Sequence, residues 1–337
     1  MNNDQFPEEG LLNRAAEGGT EALCILDSMG FLLKPGEDAA GYVARIRAMH
    51  TRSLFFQEKT ADGKVYEVYP KIHIREEARI PDGIMEEAAQ ATEERYGFAI
   101  RWVPGYFLSR GLGPLWGGCA LSDDEPDSVP VFLIRRQFRD SRKFFIYSRD
   151  ELLSHELCHA ARAPLMDRML EEHFAYAGSH SPLRRYMGNC FQTDRDAMLF
   201  LFPVLLLLGV QILVQYYEWN IPVYLFWILA LVWPGYLLIR NAVQRKIYFR
   251  AERNLRSCGF ERPAAALFRC TSAEIARFSG LSGEELKQTL NELAQSDLRM
   301  KIILTRFQHK EGDPQHADDQ RSERVSERDP ELESVRK

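Results

Sequence analysis

Two apolar runs, Met198 to Tyr217 and Ile221 to Ile239, contain no charged residue and are separated only by Glu218-Trp219-Asn220. Each is close to the ~20 residues with which an α-helix crosses a ~30 Å hydrocarbon core. Within lipid every backbone N–H and C=O must find its partner inside the segment, so runs of this kind are compatible with helices and little else. The three-residue connection predicts a tight transmembrane hairpin, with Tyr216, Tyr217 and Trp219 suited to the membrane interface. Gln211, Gln215, Pro203 and Pro234 need protein neighbours there, and a pair of buried core helices is the competing reading. Arg184, Arg185 and Arg195 precede the hairpin; Arg240, Arg245, Lys246, Arg250 and Arg253 follow it; the turn has no Lys or Arg. By the positive-inside rule both ends lie in the cytoplasm, and the rest of the chain with them.

What the hairpin anchors is indicated by His155-Glu156-Leu157-Cys158-His159, the pattern H-E-x-x-H. Residues four apart share a helix face, so His155 and His159 can offer both imidazoles to one metal ion, with Glu156 beside them. Ser148-Arg149-Asp150-Glu151 reads as a capping box that starts the helix at Arg149. Leu153, Leu157, Ala160 and Ala161 cover one side of it. Two core histidines satisfied by hydrogen bonds are the bland alternative. Three polar residues of the right types at the right spacing favour metal. Cys158 occupies an x position facing Ser154 and Arg162 and reads as a bystander.

A catalytic zinc site has three protein ligands and one open position. After Arg162-Ala163-Pro164, a second helix is expected over Leu165 to Ala177. On it, Glu172 falls with Leu165, Met169 and Tyr176 on an inward face, and is the expected third ligand. His173 shares a stripe with Met166, Met169, Leu170 and Phe174 and competes for that role. Glu171 falls with Asp167 and Arg168 and reads as an exposed helix charge.

Here the chain resembles the gluzincin group of zinc metallopeptidases: His155, Glu156 and His159 match the H-E-x-x-H, and Glu172 with Ala175 matches a downstream E-x-x-A. The resemblance covers about Pro81 to Gly178 and implies an α+β zincin-like catalytic domain. It implies zinc (Zn2+) held by His155, His159 and Glu172, with Glu156 as general base. Many members carry Asp four residues after the ligand Glu, where this chain has Tyr176, and the interval from His159 to Glu172 is short for the group. Family members bind peptide along an edge strand. Val131 to Arg136 is the candidate for that strand, an ordinary sheet strand being the alternative.

Around these motifs the chain is less informative. Glu21 to Ser28 reads as a helix stopped by Gly30, and Ala39 to Phe56 has roughly helical spacing. Asp62-Gly63 is a turn signal, and Val65 to Ile74 alternates as a strand or hairpin. Met85, Ala88, Ala89, Thr92 and Tyr96 predict a helix before Gly97, followed by a half-buried strand at Phe98, Ile100 and Trp102. Trp116 to Leu121 can be another strand, and Asp123 to Asp127 an acidic loop. Val131 to Phe138 and Lys143 to Tyr147 flank the polar turn Arg139 to Arg142 as a hairpin. Beyond the membrane segment, Asn241 to Ser257 reads as a separate basic amphipathic helix, suited to anionic headgroups, that ends at Gly259. Helices are expected at Ser272 to Phe278 and Ser282 to Ala294, then a strand at Met300 to Thr305. Residues 309–337 read as a charged, disordered tail.

At 337 residues with a formal charge of −5, the chain has room for more than one core and no electrostatic case for nucleic acid. Its six cysteines form no C-x-x-C pair, and Met1 to Gly19 lacks the basic start and apolar run of a secretory signal. Reduced thiols are therefore expected. The organisation read from the sequence is an N-terminal region (1–80), the zincin-like domain (81–190), the hairpin (198–239), a small helical module (240–308) and the tail (309–337). The function expected is hydrolysis of a peptide or protein substrate by an enzyme anchored in the lipid bilayer. An inactive zincin-like scaffold, or a regulator acting through the C-terminal helices, are the alternatives.

Overall fold

The structure, a computed structural model, describes residues 6–60, 64–69, 72–108, 117–121, 129–145 and 147–309. It is a mixed α/β arrangement, mostly helical, with two long apolar helices. Helices α1 (Glu9–Ala16), α2 (Thr20–Ser28) and α3 (Ala39–Thr60) open the chain. A small antiparallel pair follows, β1 (Tyr66–Tyr69) and β2 (Ile72–Ile74), and then α4 (Asp82–Tyr96). Gly30, which ends the α2 segment, has φ +87°, and a Cβ there would lie 2.2 Å from Ile100 Cγ1. Both the backbone conformation and the close packing require glycine at that position. The Asp62-Gly63 turn and the Asp123 to Asp127 loop lie outside the described residues.

The central sheet has three strands in the order β3 (Gly105–Leu108), β5 (Val131–Arg135), β4 (Gly118–Leu121). β5 runs parallel to β3 and antiparallel to β4. Two expectations are corrected here. Val131 to Arg135 is the middle of the sheet, so its backbone is already paired on both sides and cannot accept a peptide; β3 and β4 are the edge strands among the described residues, β3 partly covered by the bridge between Arg79 and Tyr106. Lys143 to Tyr147 does not pair with it either, because β6 (Lys143–Phe144) turns back on β7 (Tyr147–Ser148). The continuous apolar run from Val131 to Ile134, fully buried, is the mark of such an inner strand.

Phe98 to Trp102 is not a strand. Ala99 donates its N–H to the Ser28 carbonyl and the Trp102 indole donates to the Met29 carbonyl, 3.0 Å away. This segment therefore packs against the end of α2 instead of joining the sheet, with the Trp102 ring stacked on Phe31 at 4.7 Å.

α5 (Arg149–Arg162) starts where the sequence places it, and Leu153, Leu157 and Ala161 are fully buried along one face. A 3-10 turn at Ala163–Leu165 and a loop lead to α6 (Glu171–Tyr176), which is shorter than expected. Asp167 accepts hydrogen bonds from its own neighbour Met169 N–H and from the backbone and hydroxyl of Ser272. Those bonds hold residues 166–170 out of helical geometry. α7 (Pro182–Met187) and a further 3-10 turn lead to the apolar pair.

α8 (Asp194–Tyr217) and α9 (Val223–Ser257) are each long and apolar enough to cross a membrane, and only 11% of each apolar window is buried. At that burial neither helix is a core helix of this chain. α9 is one unbroken helix of 35 residues, so the separate basic helix expected after Asn241 is its continuation. Its last turns bury Tyr248, Ala251 and Leu255 in the protein core. α10 (Pro263–Phe268), α11 (Ser272–Gly280), α12 (Gly283–Ser296) and α13 (Leu298–Phe307) complete the chain. Met300 to Thr305 is thus helical, started by Asp297, whose carboxylate accepts from Arg299 N–H at 2.8 Å. Residues from 310 onward lie outside the described residues, while His309 donates its N–H to the Gly259 carbonyl.

One large core joins α1 to α6, the central sheet, the end of α9 and α10 to α13, and a smaller separate cluster holds Ile74, Tyr106, Leu108, Val131 and Leu133. Tyr96 stacks on Phe268 at 4.4 Å, and Phe174 meets the same Phe268 edge-on. Aromatic residues from α4, α6 and α10 therefore meet directly behind α5.

Candidate metal centre

The sequence of α5 fixes two faces at once. Leu153, Leu157 and Ala161 turn inward, which leaves His155, Glu156 and His159 on the side towards α6 and β4. The helix start differs from a capping box in its bonds. The Ser148 hydroxyl bonds Asp150, and the Glu151 carboxylate is taken by His180 and, at 2.7 Å, by Arg184.

His155, His159 and Glu172 converge, and this group can hold a metal ion. The imidazole Nε2 atoms are 3.1 Å apart. Glu172 Oε2 lies 3.7 Å from His155 Nε2, and its Oε1 lies 3.5 Å from His159 Nε2. Three ligands about 2.1 Å from a tetrahedral ion stand roughly 3.4 Å from one another; the separations here are close to that, although the two Glu172 contacts use different oxygens, and one donor atom from each residue lies within 4.8 Å of the other two. Two imidazoles and a carboxylate also form a donor set suited to zinc or a similar transition metal.

The electrostatics fit a cation. Burial, reinforced by the charges of Glu156 and Glu171 and opposed by His159, pushes the Glu172 carboxyl up to about 7. Burial depresses His159, but Glu171, Glu172 and Glu156 outweigh it and bring the imidazole up to about 9. His155, buried and next to His159, is held well below the ordinary histidine range. Three carboxylates and two imidazoles crowd one desolvated spot, and a dication relieves the repulsion that protons otherwise relieve.

Glu171 is not the exposed charge that helical spacing suggests. Its Oε2 stands 3.6 Å from His159 Nδ1, on the far side of the ring from Glu172. A carboxylate in that position fixes the tautomer and orientation of a metal-binding histidine. Spacing on a helix that was expected to begin at Leu165 misplaced it, because α6 begins only at Glu171. His173 is no ligand: its ring packs on Tyr248 at 4.3 Å and is buried against α9.

Glu156 lines a cavity of about 540 Å³ together with His155, Glu172, Tyr176, Gly117 and Gly118. Burial raises its carboxyl, while His159 and a hydrogen bond from the Ala120 backbone N–H oppose the rise. Glu156 faces this cavity from α5. Tyr176 presents its ring edge-on to His155 at 4.5 Å and lines the same cavity. His180 is exposed and tied to Glu151. Tyr176, and not His180, lines this cavity. Cys158 is buried beneath the helix and takes no part in the group.

No known protein family, no curated protein and no solved structure matches this chain.

Proposed function

We propose that this protein is a zinc metallopeptidase anchored in a membrane by the α8–α9 hairpin, its soluble part built on a zincin-like arrangement. The observation that carries the reading is the convergence of the His155, His159 and Glu172 donor atoms with Glu156 facing the same cavity. Structural zinc sites are closed, whereas this one borders open space. When bound there, zinc acidifies a water molecule and polarises a carbonyl.

The chain's own residues supply the rest. Glu156, its carboxyl raised by burial, accepts a proton from the attacking water and passes it to the leaving amine nitrogen. One water is consumed, the C–N bond breaks, and a carboxylate and an amine are released. Tyr176 donates its hydroxyl to the developing oxyanion. β4, with its free edge beside Glu156, pairs with an extended peptide and sets the scissile bond over the cavity.

The test is metal analysis of the purified protein combined with digestion of a peptide library. Wild type should contain one zinc per chain and cut peptides. Glu156→Gln should keep the zinc and lose at least 10²-fold in rate, and His155→Ala should lose both. A zinc-loaded wild type that cuts nothing would make the domain an inactive scaffold.

A further inference from the structure

The wall of the cavity and the base of the apolar hairpin are one piece of structure. Met187, Gly188 and Phe191, from the residues just before α8, line the cavity beside Glu156. The Phe191 ring packs edge-on against Phe200, in the apolar run of α8, at 5.6 Å. On the other side of Glu172 lies a second cavity, also about 540 Å³, formed by Arg168, Glu171, Gln192 and the first residues of α8, Asp194 and Arg195. Glu172 therefore stands between two spaces that both abut the start of a membrane helix.

This junction is held rigidly. Arg240 pairs with Asp196 at 2.8 Å and donates to the Cys190 carbonyl. Gln244 accepts from Asn189 at 2.7 Å and from Gln192 at 2.6 Å. Asn241 donates to the Tyr186 carbonyl and Arg245 to that of Arg185. Residues 185–196 are thus tied to α9 at six points, so the site cannot swing away from the hairpin. The charge-free run begins at Met198, and four residues of helix rise only about 6 Å from Asp194. The polar layer on each side of a bilayer is about 5–8 Å thick, which puts the mouth of the site in or against the headgroups. The surrounding surface suits that position: Leu183, Tyr186 and Phe191 are 69%, 41% and 41% exposed, and apolar side chains are favoured there over open water.

We infer that the substrates are polypeptides anchored in the same bilayer, cut in the segment that emerges directly from it. This rests on the peptidase reading above. A chain tethered to the membrane already holds its first few residues at the height of the cavity, and tethering raises effective concentration to about the millimolar range. A freely soluble chain has to enter the headgroup layer to reach the same place.

The experiment uses the full chain in liposomes, zinc-loaded, with one cleavable sequence taken from the library digest. That sequence is supplied free in solution, coupled to a phospholipid through a four-residue Gly/Ser spacer, and coupled through a forty-residue spacer. The short-tethered form should be cut at least ten-fold faster than the free peptide, and the forty-residue spacer, with its mean reach of roughly 35 Å, should lose most of that advantage. Equal rates for all three forms, or a long tether as good as the short one, would overturn the inference and leave the peptidase standing. Failure of the wild type to cut any form in a protein that carries zinc would overturn both.

Discussion

The two adjacent glutamates of α6 divide the labour around one imidazole, Glu172 facing His159 Nε2 at 3.5 Å and Glu171 facing its Nδ1 at 3.6 Å. Their removal should therefore differ in kind. Glu172→Ala should strip most of the zinc, because two histidines alone leave a poor site. Glu171→Gln should weaken affinity about 10–100-fold, the range for a residue that orients a ligand, and His173→Ala should leave affinity unchanged. Titration against a chelator of known affinity measures all three, and equal losses for Glu171→Gln and Glu172→Ala would cancel the distinction. The same cluster predicts how the metal-free protein responds to pH. Glu172 at about 7 and His159 at about 9 both lie above the ~4.3 and ~6.5 of an unfolded chain. The folded, metal-free state thus binds more protons than the unfolded one, and the stability they contribute is lost as pH rises through those two values. Melting of chelated protein should move to lower temperature from pH 6 to pH 9, and the gap to the zinc-loaded protein should widen. A chelated protein that gains stability across that window would contradict the electrostatics described.

β4 lines the cavity beside Glu156 through the backbone of Gly118. Its place depends on Gly118, where a Cβ would meet the Leu133 carbonyl oxygen at 2.7 Å and Ile134 Cα at 3.2 Å. Those are backbone atoms of the central strand and cannot step aside. Gly118→Ala should push β4 off β5, keep the zinc, and reduce hydrolysis at least ten-fold; full activity in a zinc-loaded Gly118→Ala protein would free Glu156 from any dependence on the strand. Elements defined by their own residues were legible from the chain alone. α5 carries an apolar face and a polar face in one period, and α4 has five buried positions in register before Gly97. Elements decided by distant partners were not. Residues 166–170 are drawn out of the helix by Ser272, a hundred residues away, and Phe98 to Trp102 is captured by the end of α2. The change from apolar to basic at Arg240 looks like the end of a helix, yet it marks a change of surroundings around a helix that continues. The two histidines were readable because H-E-x-x-H is local; the position of Glu171 beside His159 was not, because it depends on where α6 begins.

At the scale of the whole molecule, the chain leaves its core at Asp194 and returns to it along α9, and the parts before and after the apolar pair are joined by buried charge. Asp27 of α2 is paired with Arg269 at 2.7 Å and with Arg306 of α13. Arg269 and Arg306 also donate to the carbonyls of Tyr96 and Gly97 at the end of α4. Removing one member of such a cluster strands the others in a desolvated place, at a cost of about 3–5 kcal/mol, so the last helices belong to the fold that carries the metal centre. Two helices that are long and apolar enough to cross a membrane, joined by a short turn, would return the chain to the side it left, as a shared core demands. The flanking charges predict the side. Arg184 and Arg185 before α8, Arg195 in its first turn, and Arg240, Arg245, Lys246, Arg250 and Arg253 on α9 contrast with a turn that holds Glu218 and no base. Pairing of Arg240 with Asp196 does not weaken that bias, because acidic residues count for little in orientation. The metal centre should accordingly face the cytoplasm, with the 218–222 turn outside. Single reporter cysteines test this in intact cells, one replacing Asn220 in the turn and one replacing Glu284, whose side chain is 89% exposed. A membrane-impermeant thiol reagent should label Asn220→Cys directly and Glu284→Cys only after permeabilisation. The opposite pattern would place the cavity outside the cell, and any substrate segment at that surface with it.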